Sequence, residues 1–342
     1  MYEAYACDKV ASGMRQEICS LATHGLSRPP DPELLTDSSS SDSQCRVFAG
    51  FKNGELLTFT PLRDKFEISL CRRFEAKAIQ QLKTIESHNA IFCLSDGQLT
   101  VHDLTEVATV KATLKQHRGI SCFATHLDEA TKKLHVAIAA NRRIHVIEWI
   151  DGEFHEIPIK FYENAQFLEN AESLTWYGKS RVAFAVKGEY WIVQVLADED
   201  ERRARATCEV GHLLKLFGAG SKLLKPLIID IADHEVVGFG RDNDVVFSTY
   251  FGKQTKKCAN VKFDSPPKAL AYDSPYLVAI LAKGVIEIRT LAPPMLIQKI
   301  QLSEAKILNS SRPGHICASS GTDVWLLNSH SLLTQNIQLA GG

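Results

Sequence analysis

Ala90-Ile91-Phe92-Cys93-Leu94-Ser95-Asp96-Gly97-Gln98-Leu99-Thr100-Val101-His102-Asp103 reads as two short strands joined by a tight turn. Asp-Gly supplies the two positive φ angles that a two-residue hairpin turn needs. The flanking runs are rich in β-branched and aromatic residues, which suit a pleated, mostly buried surface. Moving outward, the same pattern returns around Gly54, Asn141-Arg142, Gly188, Gly284 and Gly321, and in the pair Glu235–Gly240 and Val245–Thr249. From Gly54 to Gly321 the turn markers span 267 positions in six intervals, about 44 residues each, the length of one four-stranded propeller blade.

Each hairpin is preceded by one further apolar segment: residues 18–24, 78–85, 120–126, 173–177, 226–232, 268–272 and 305–309. Six are followed by a fourth: residues 66–73, 108–114, 155–161, 209–216, 257–263 and 296–302. No outer strand is evident after Leu327, and residues 4–12 are expected to fill that place. The prediction is an all-β chain, a seven-bladed β-propeller over residues 1–330, its ring closed by an N-terminal strand in the last blade. Two stretches break the rhythm. Residues 27–44 are rich in Pro, Ser and Asp and are expected to form a disordered loop insertion in the first blade. Residues 197–206 are a charge run expected to extend a hairpin of the fourth.

Hydrophobic residues make up 45% of the 342 and charged residues 23%, an ordinary globular composition. A formal net charge of −1 gives no global attraction to nucleic acid. The nine cysteines include no Cys-x-x-Cys, and several sit inside apolar strands, where a thiol acts as a small hydrophobe. That usage fits a reducing, cytoplasmic setting.

Chemistry-bearing patterns are weak. Gly218-Ala219-Gly220-Ser221-Lys222 lacks the spacing of a phosphate-binding loop and reads as an inter-blade connection. Gly238-Phe239-Gly240 lies in a strand rather than before a helix. His102-Asp103 and His155-Glu156 are strand neighbours facing opposite sides, so neither pair forms a relay by itself. No Gly-x-Ser-x-Gly and no His-Glu-x-x-His occurs. The reading is a non-enzyme with no catalytic, cofactor-binding or metal residues and an unknown partner-binding set. Basic doublets stand at Arg72-Arg73, Lys132-Lys133, Arg142-Arg143, Arg202-Arg203 and Lys256-Lys257. They are solvated turn residues, or a rim facing an acidic partner or membrane phosphates.

Particular stretches resemble a known family. They are Met1-Tyr2-Glu3-Ala4-Tyr5, Gly50-Phe51-Lys52-Asn53-Gly54-Glu55-Leu56-Leu57, Val101-His102-Asp103-Leu104, Glu153-Phe154-His155-Glu156 and Val186-Lys187-Gly188-Glu189-Tyr190. Most specific is Pro275-Tyr276-Leu277-Val278-Ala279-Ile280-Leu281, with Val285–Thr290 and Leu296–Ile300 behind it. Together they resemble the N-terminal citron homology (CNH) domains of the vacuolar protein sorting-associated protein 39 family, subunits of the HOPS tethering complex. The resemblance implies a protein-binding platform without cofactor, peripheral on late endosome and lysosome membranes. It implies a small Rab GTPase in its GTP form as partner, in fusion of late endosomes, lysosomes and autophagosomes. Other HOPS subunits would be contacted mainly through a helical solenoid beyond this chain, with residues 331–342 as the start of the linker to it. Two alternatives accompany this reading: nucleotide exchange on a late-endosomal Rab, and the equivalent CORVET subunit at early endosomes.

Overall fold

In the computed structural model the described residues are 3–25, 45–62, 65–74, 77–128, 130–159, 169–197, 210–211, 213–223 and 225–330. The loop at 27–44, most of the charge run and residues 331–342 lie outside them. The strands form seven four-stranded antiparallel sheets, and six are simple meanders. Blade 1 is β2 (Ile18–Gly25), β3 (Cys45–Phe51), β4 (Glu55–Leu62) and β5 (Lys65–Arg73). Blade 2 is β6 (Ile79–Ile85), β7 (Ala90–Ser95), β8 (Gln98–Asp103) and β9 (Val110–Thr113). Blade 3 is β10 (Cys122–Leu127), β11 (Leu134–Ala140), β12 (Arg143–Ile150) and β13 (Glu153–Ile157). Blade 4 is β14 (Ser173–Tyr177), β15 (Arg181–Val186), β16 (Glu189–Gln194) and β17 (Leu213–Gly218). Blade 5 is β18 (Ile228–Ile231), β19 (Val236–Arg241), β20 (Asp244–Thr249) and β21 (Val261–Lys262). Blade 6 is β22 (Ala269–Asp273), β23 (Tyr276–Ile280), β24 (Val285–Thr290) and β25 (Leu296–Gln301). Blade 7 joins β26 (Ala305–Arg312), β27 (His315–Ser320) and β28 (Asp323–Ser329) to the N-terminal β1 (Tyr5–Ala11).

The predicted propeller and its ring closure are both present. The first strand of each blade packs on those of its neighbours, and β2 meets both β6 and β26. Outer strands differ most from expectation. β21 is two residues long where seven were expected, and β9 begins at Val110 because a turn, Thr109 N–H to Glu106 C=O at 2.8 Å, occupies the residues before it.

Second strands are buried almost throughout, β11 and β15 at every residue, because sheets lie against both their faces. This is why they read as continuous apolar runs rather than alternating ones. The hairpin turns behave as the sequence chemistry requires. Asp96 and Gly97 take φ of 51° and 68°, and Lys187 and Gly188 take 51° and 69°. Asn141 and Arg142 adopt the same region, at 52° and 60°, with no glycine present.

Among the described residues there is no single central core. The buried apolar residues form seven clusters, one at each junction between neighbouring blades. Phe92, Leu94 and Val101 of blade 2 pack on Phe123, Val136 and Ile138 of blade 3, for example. Each fully buried Phe or Leu contributes roughly 1.5–3 kcal/mol relative to exposure.

Hydrogen bonds between blades add direction to this packing. Ser20 Oγ donates to Ile79 C=O at 2.8 Å, and Thr84 Oγ1 donates back to Thr23 C=O at 2.7 Å. Gln81 and the backbone of Phe123 exchange two bonds at 2.7 and 3.1 Å. Tyr190 Oη donates to Gly240 C=O at 2.7 Å and accepts from Leu227 N–H at 3.1 Å. The closing junction is the most elaborate. Gln298 of β25 accepts from Ala4 N–H and Tyr5 N–H at 2.8 and 2.9 Å and donates to Tyr5 C=O at 2.9 Å. Tyr5 Oη donates to Asp273 Oδ2 at 2.5 Å, while Asp273 Oδ1 accepts from Gly314 N–H at 2.7 Å. Blade 6 thus grips both the N-terminal strand and the rest of blade 7.

Candidate functional site

Meandering blades arranged as a propeller place their connections on two faces. One face carries the links from first to second and from third to fourth strand. The opposite face carries the tight turns from second to third strand and the crossovers between blades. Among the described residues, the exposed large hydrophobic side chains are not divided evenly. Leu62 ends β4, Val110 begins β9, Ile150 ends β12, Phe251 follows β20, and Met295 and Leu296 lead into β25. All belong to the third-to-fourth-strand side, spread over blades 1, 2, 3, 5 and 6. Ile68, paired with Phe59, lies on the outer strand of blade 1 near the same edge. Exposures run from 40% at Leu296 to 55% at Leu62 and Ile68. Single exposed apolar side chains are ordinary; their segregation to one face makes it the candidate protein-binding surface.

Among the described residues the basic doublets are divided between the two faces. Lys132-Lys133 and Lys256-Lys257 belong to this face, whereas Arg142-Arg143 occupies a tight turn on the other. Arg202-Arg203 lies outside the described residues. Several members are internally engaged: Lys257 pairs with Glu235 at 2.6 Å and Lys133 with Glu148 at 3.0 Å. Arg72 is half-buried, donating to Val107 C=O at 2.8 Å and to Ala108 C=O, beside His102 Nδ1.

The other sequence patterns resolve into structure. In the Gly218–Lys222 loop, the amides of Ser221 and Lys222 both donate to Asp242 Oδ1 at 3.2 Å, so an internal carboxylate occupies the amide cradle. Gly238 and Gly240 lie in β19, where added Cβ atoms would fall 2.9 Å from Ile229 Cγ2 and 3.0 Å from Leu223 Cδ1. His102 and Asp103 serve different partners. Burial and Arg72 push His102 down to about 4. Asp103 accepts from the Thr105 and Glu106 amides and meets Lys111, which hold it below the usual carboxylate range.

Glu156 does not pair with its neighbour His155. It meets two histidines that the sequence sets 39 and 11 positions before it, His117 and His145. Register explains the second contact. Glu156 of β13 lies opposite Ile147 of β12, so His145, two residues from Ile147, shares its face. His117 comes from the crossover between β9 and β10. His145 Nδ1 stands 3.0 Å from Glu156 Oε1, and His117 Nε2 stands 3.4 Å from Oε2. The rings are 4.1 Å apart, tilted by 47°. Burial and the neighbouring His145 hold His117 below the ordinary imidazole value, with Glu156 opposing them. Beside this group opens a cavity of about 380 Å³, lined by Arg143, His145, Glu156, Ile157, Pro158 and Ile159 among others. No short-range motif marks the trio, because three separate segments supply it.

With this geometry in view, the chain's relatives can be placed. The CNH domain profile matches residues 59–311, well over half of the chain. The chain belongs to the CNH domain family. The matched span begins inside β4 and ends inside β26, and the CNH ring is completed by strands on either side of it. Relatives similar along most of the sequence carry vacuolar sorting names. The Caenorhabditis elegans vacuolar protein sorting-associated protein 39 homolog is 26% identical, covering 98% of this chain and 35% of its own length. The Mus musculus Vam6/Vps39-like protein is 28% identical, covering 86% of this chain and 33% of its own. This chain therefore spans about a third of the length of the curated relatives it matches. Among solved structures, the AfRom2 CNH domain superposes over 94% of this chain and 98% of its own with a TM-score of 0.56, at 12% identity. U3-55K does so over the same shares with a TM-score of 0.63, at 11% identity. These two likenesses speak to the propeller fold alone. No helix of the described residues is long and apolar enough to cross a membrane.

Proposed function

We propose that this CNH propeller is the protein-binding platform of a HOPS-type membrane-tethering subunit, recognising a GTP-bound small Rab GTPase on late endosomes and lysosomes. The observation that carries the reading is the similarity to proteins named vacuolar protein sorting 39, which runs along almost the whole chain. The fold suits such work: rigid blades present variable connections, and binding surfaces on loops are positioned by the scaffold beneath them. Segregation of Leu62, Val110, Ile150, Phe251, Met295 and Leu296 to one side supports docking there.

The test is a pull-down of the chain against endolysosomal Rab GTPases loaded with GDP or a non-hydrolysable GTP analogue. Retention that requires the GTP form supports the platform. Absence of binding to every Rab, by this chain and by the full-length protein, overturns it. The same preparations serve a GDP-release assay, in which a platform leaves the release rate unchanged and an exchange factor accelerates it. Introducing charge at Phe251→Asp and Met295→Asp is expected to weaken retention at least tenfold, whereas Lys52→Asp on the opposite face leaves it intact.

A further inference from the structure

We propose that His117, His145 and Glu156 form a binding site for a divalent first-row transition metal, with zinc the best match. One ligand atom from each residue lies within 4.8 Å of the other two. Two imidazoles and a carboxylate are a donor set suited to zinc, while magnesium and calcium prefer all-oxygen sites.

The independent observation is unmet polarity. His117 is only 6% exposed, and its Nε2 is buried without a hydrogen bond, at ion-pair distance from Glu156. His145 Nε2 is also buried without one. Buried ring nitrogens are normally satisfied, and here two without a hydrogen bond belong to rings 4.1 Å apart. An imidazole binds a metal through the in-plane lone pair of a ring nitrogen, and a cation at His117 Nε2 would supply the interaction missing there. Ligand atoms around tetrahedral zinc, with bonds of about 2.0–2.1 Å, stand about 3.4 Å apart. The three ligand atoms lie within 4.8 Å of one another, so the widest pair has to close by at most about 1.4 Å, while Glu156 already stands 3.0 and 3.4 Å from the two histidines. Three protein ligands leave a fourth position for water or a partner's group from the adjoining cavity. The bound metal would brace the blade 2 to blade 3 crossover, through His117, against the outer hairpin of blade 3.

The experiment is a zinc titration of the EDTA-treated, dialysed chain, followed by calorimetry and thermal unfolding, with magnesium as control. The expected result is saturable uptake of one zinc per chain and a Tm raised by about 4 °C at a hundredfold excess over Kd. Magnesium is expected to do nothing. Glu156→Gln and His145→Ala, each unfolding normally in EDTA, should weaken zinc binding at least thirtyfold. The chain holds other histidines and thiols, so the variants decide the location. No saturable uptake by the parent chain, or uptake that survives both substitutions, overturns the proposal.

Discussion

Removing the Gln298 side chain should loosen the hold of blade 6 on the N-terminal strand that closes the ring. Gln298 is nearly fully buried and makes three hydrogen bonds to the backbone of Ala4 and Tyr5, all at 2.8–2.9 Å. Gln298→Ala removes the partner of two amides and a carbonyl while β1 stays pinned to β28. Each orphaned buried group costs about 1–3 kcal/mol, so the lower bound is about 3 kcal/mol. For 342 residues the unfolding entropy is roughly 0.7 kcal/mol/K, which converts this loss to a fall in Tm of about 4 °C. Tyr5→Phe strips Asp273 Oδ2 of its donor and should cost about 1.5–3 kcal/mol. If both losses act by releasing the same strand, the double variant costs less than their sum. Urea unfolding followed by tryptophan fluorescence measures all three. Trp325 is a suitable reporter, lying opposite Lys9 of β1 with the ammonium 4.7 Å from its ring. A Gln298→Ala midpoint within about 0.5 kcal/mol of the parent would show that the ring does not depend on this clamp.

Other consequences can be measured alongside. Burial raises Asp230 from 3.8 to about 6, so its contribution to stability is full below pH 3.8 and lost as pH rises through 6. Asp230→Asn, still able to accept the Tyr250 Oη hydrogen bond, should therefore gain about 1–2 kcal/mol at pH 7.5 and nothing at pH 4; an equal effect at both refutes the assignment. His102 and His126 are instead pushed down to about 4 by burial, so their contribution is present above pH 6.5 and lost as pH falls through 4. The urea midpoint should thus fall between pH 7 and pH 4.5, and a flat profile would contradict it. Gly284 has φ +72°, and an added Cβ would fall 1.9 Å from Leu302 C=O, so Gly284→Ala should cost more than 2 kcal/mol by urea denaturation. Gly188, with φ +69° and open space around it, should lose only about 1 kcal/mol as Ala. In the native state an alkylating reagent should label exposed Cys71 while sparing Cys93, which burial raises to about 12; peptide mapping reads the difference.

What the sequence determined by itself was the blade. A strand's side-chain alternation, its buried apolar runs and the positive φ of Asp-Gly and Lys-Gly turns are local properties, written within about 15 residues. Seven recurrences with a missing last outer strand then implied that residues 4–12 return to close the ring, as β1 does. The ends of strands were less legible. Outer strands such as β21 pair along one edge only, and turns compete for their residues. The tertiary structure alone decided everything that depends on which blades and faces meet. Arg72 reads as a turn charge and proves to be half-buried against Val107 and His102. The loop at 218–222 resembles part of a phosphate cradle, yet Asp242 from a neighbouring blade fills it. Glu156 stands beside His155 in the chain but faces His117 and His145 in space, because pleating sends adjacent residues to opposite sides and only register and crossover path bring distant ones together.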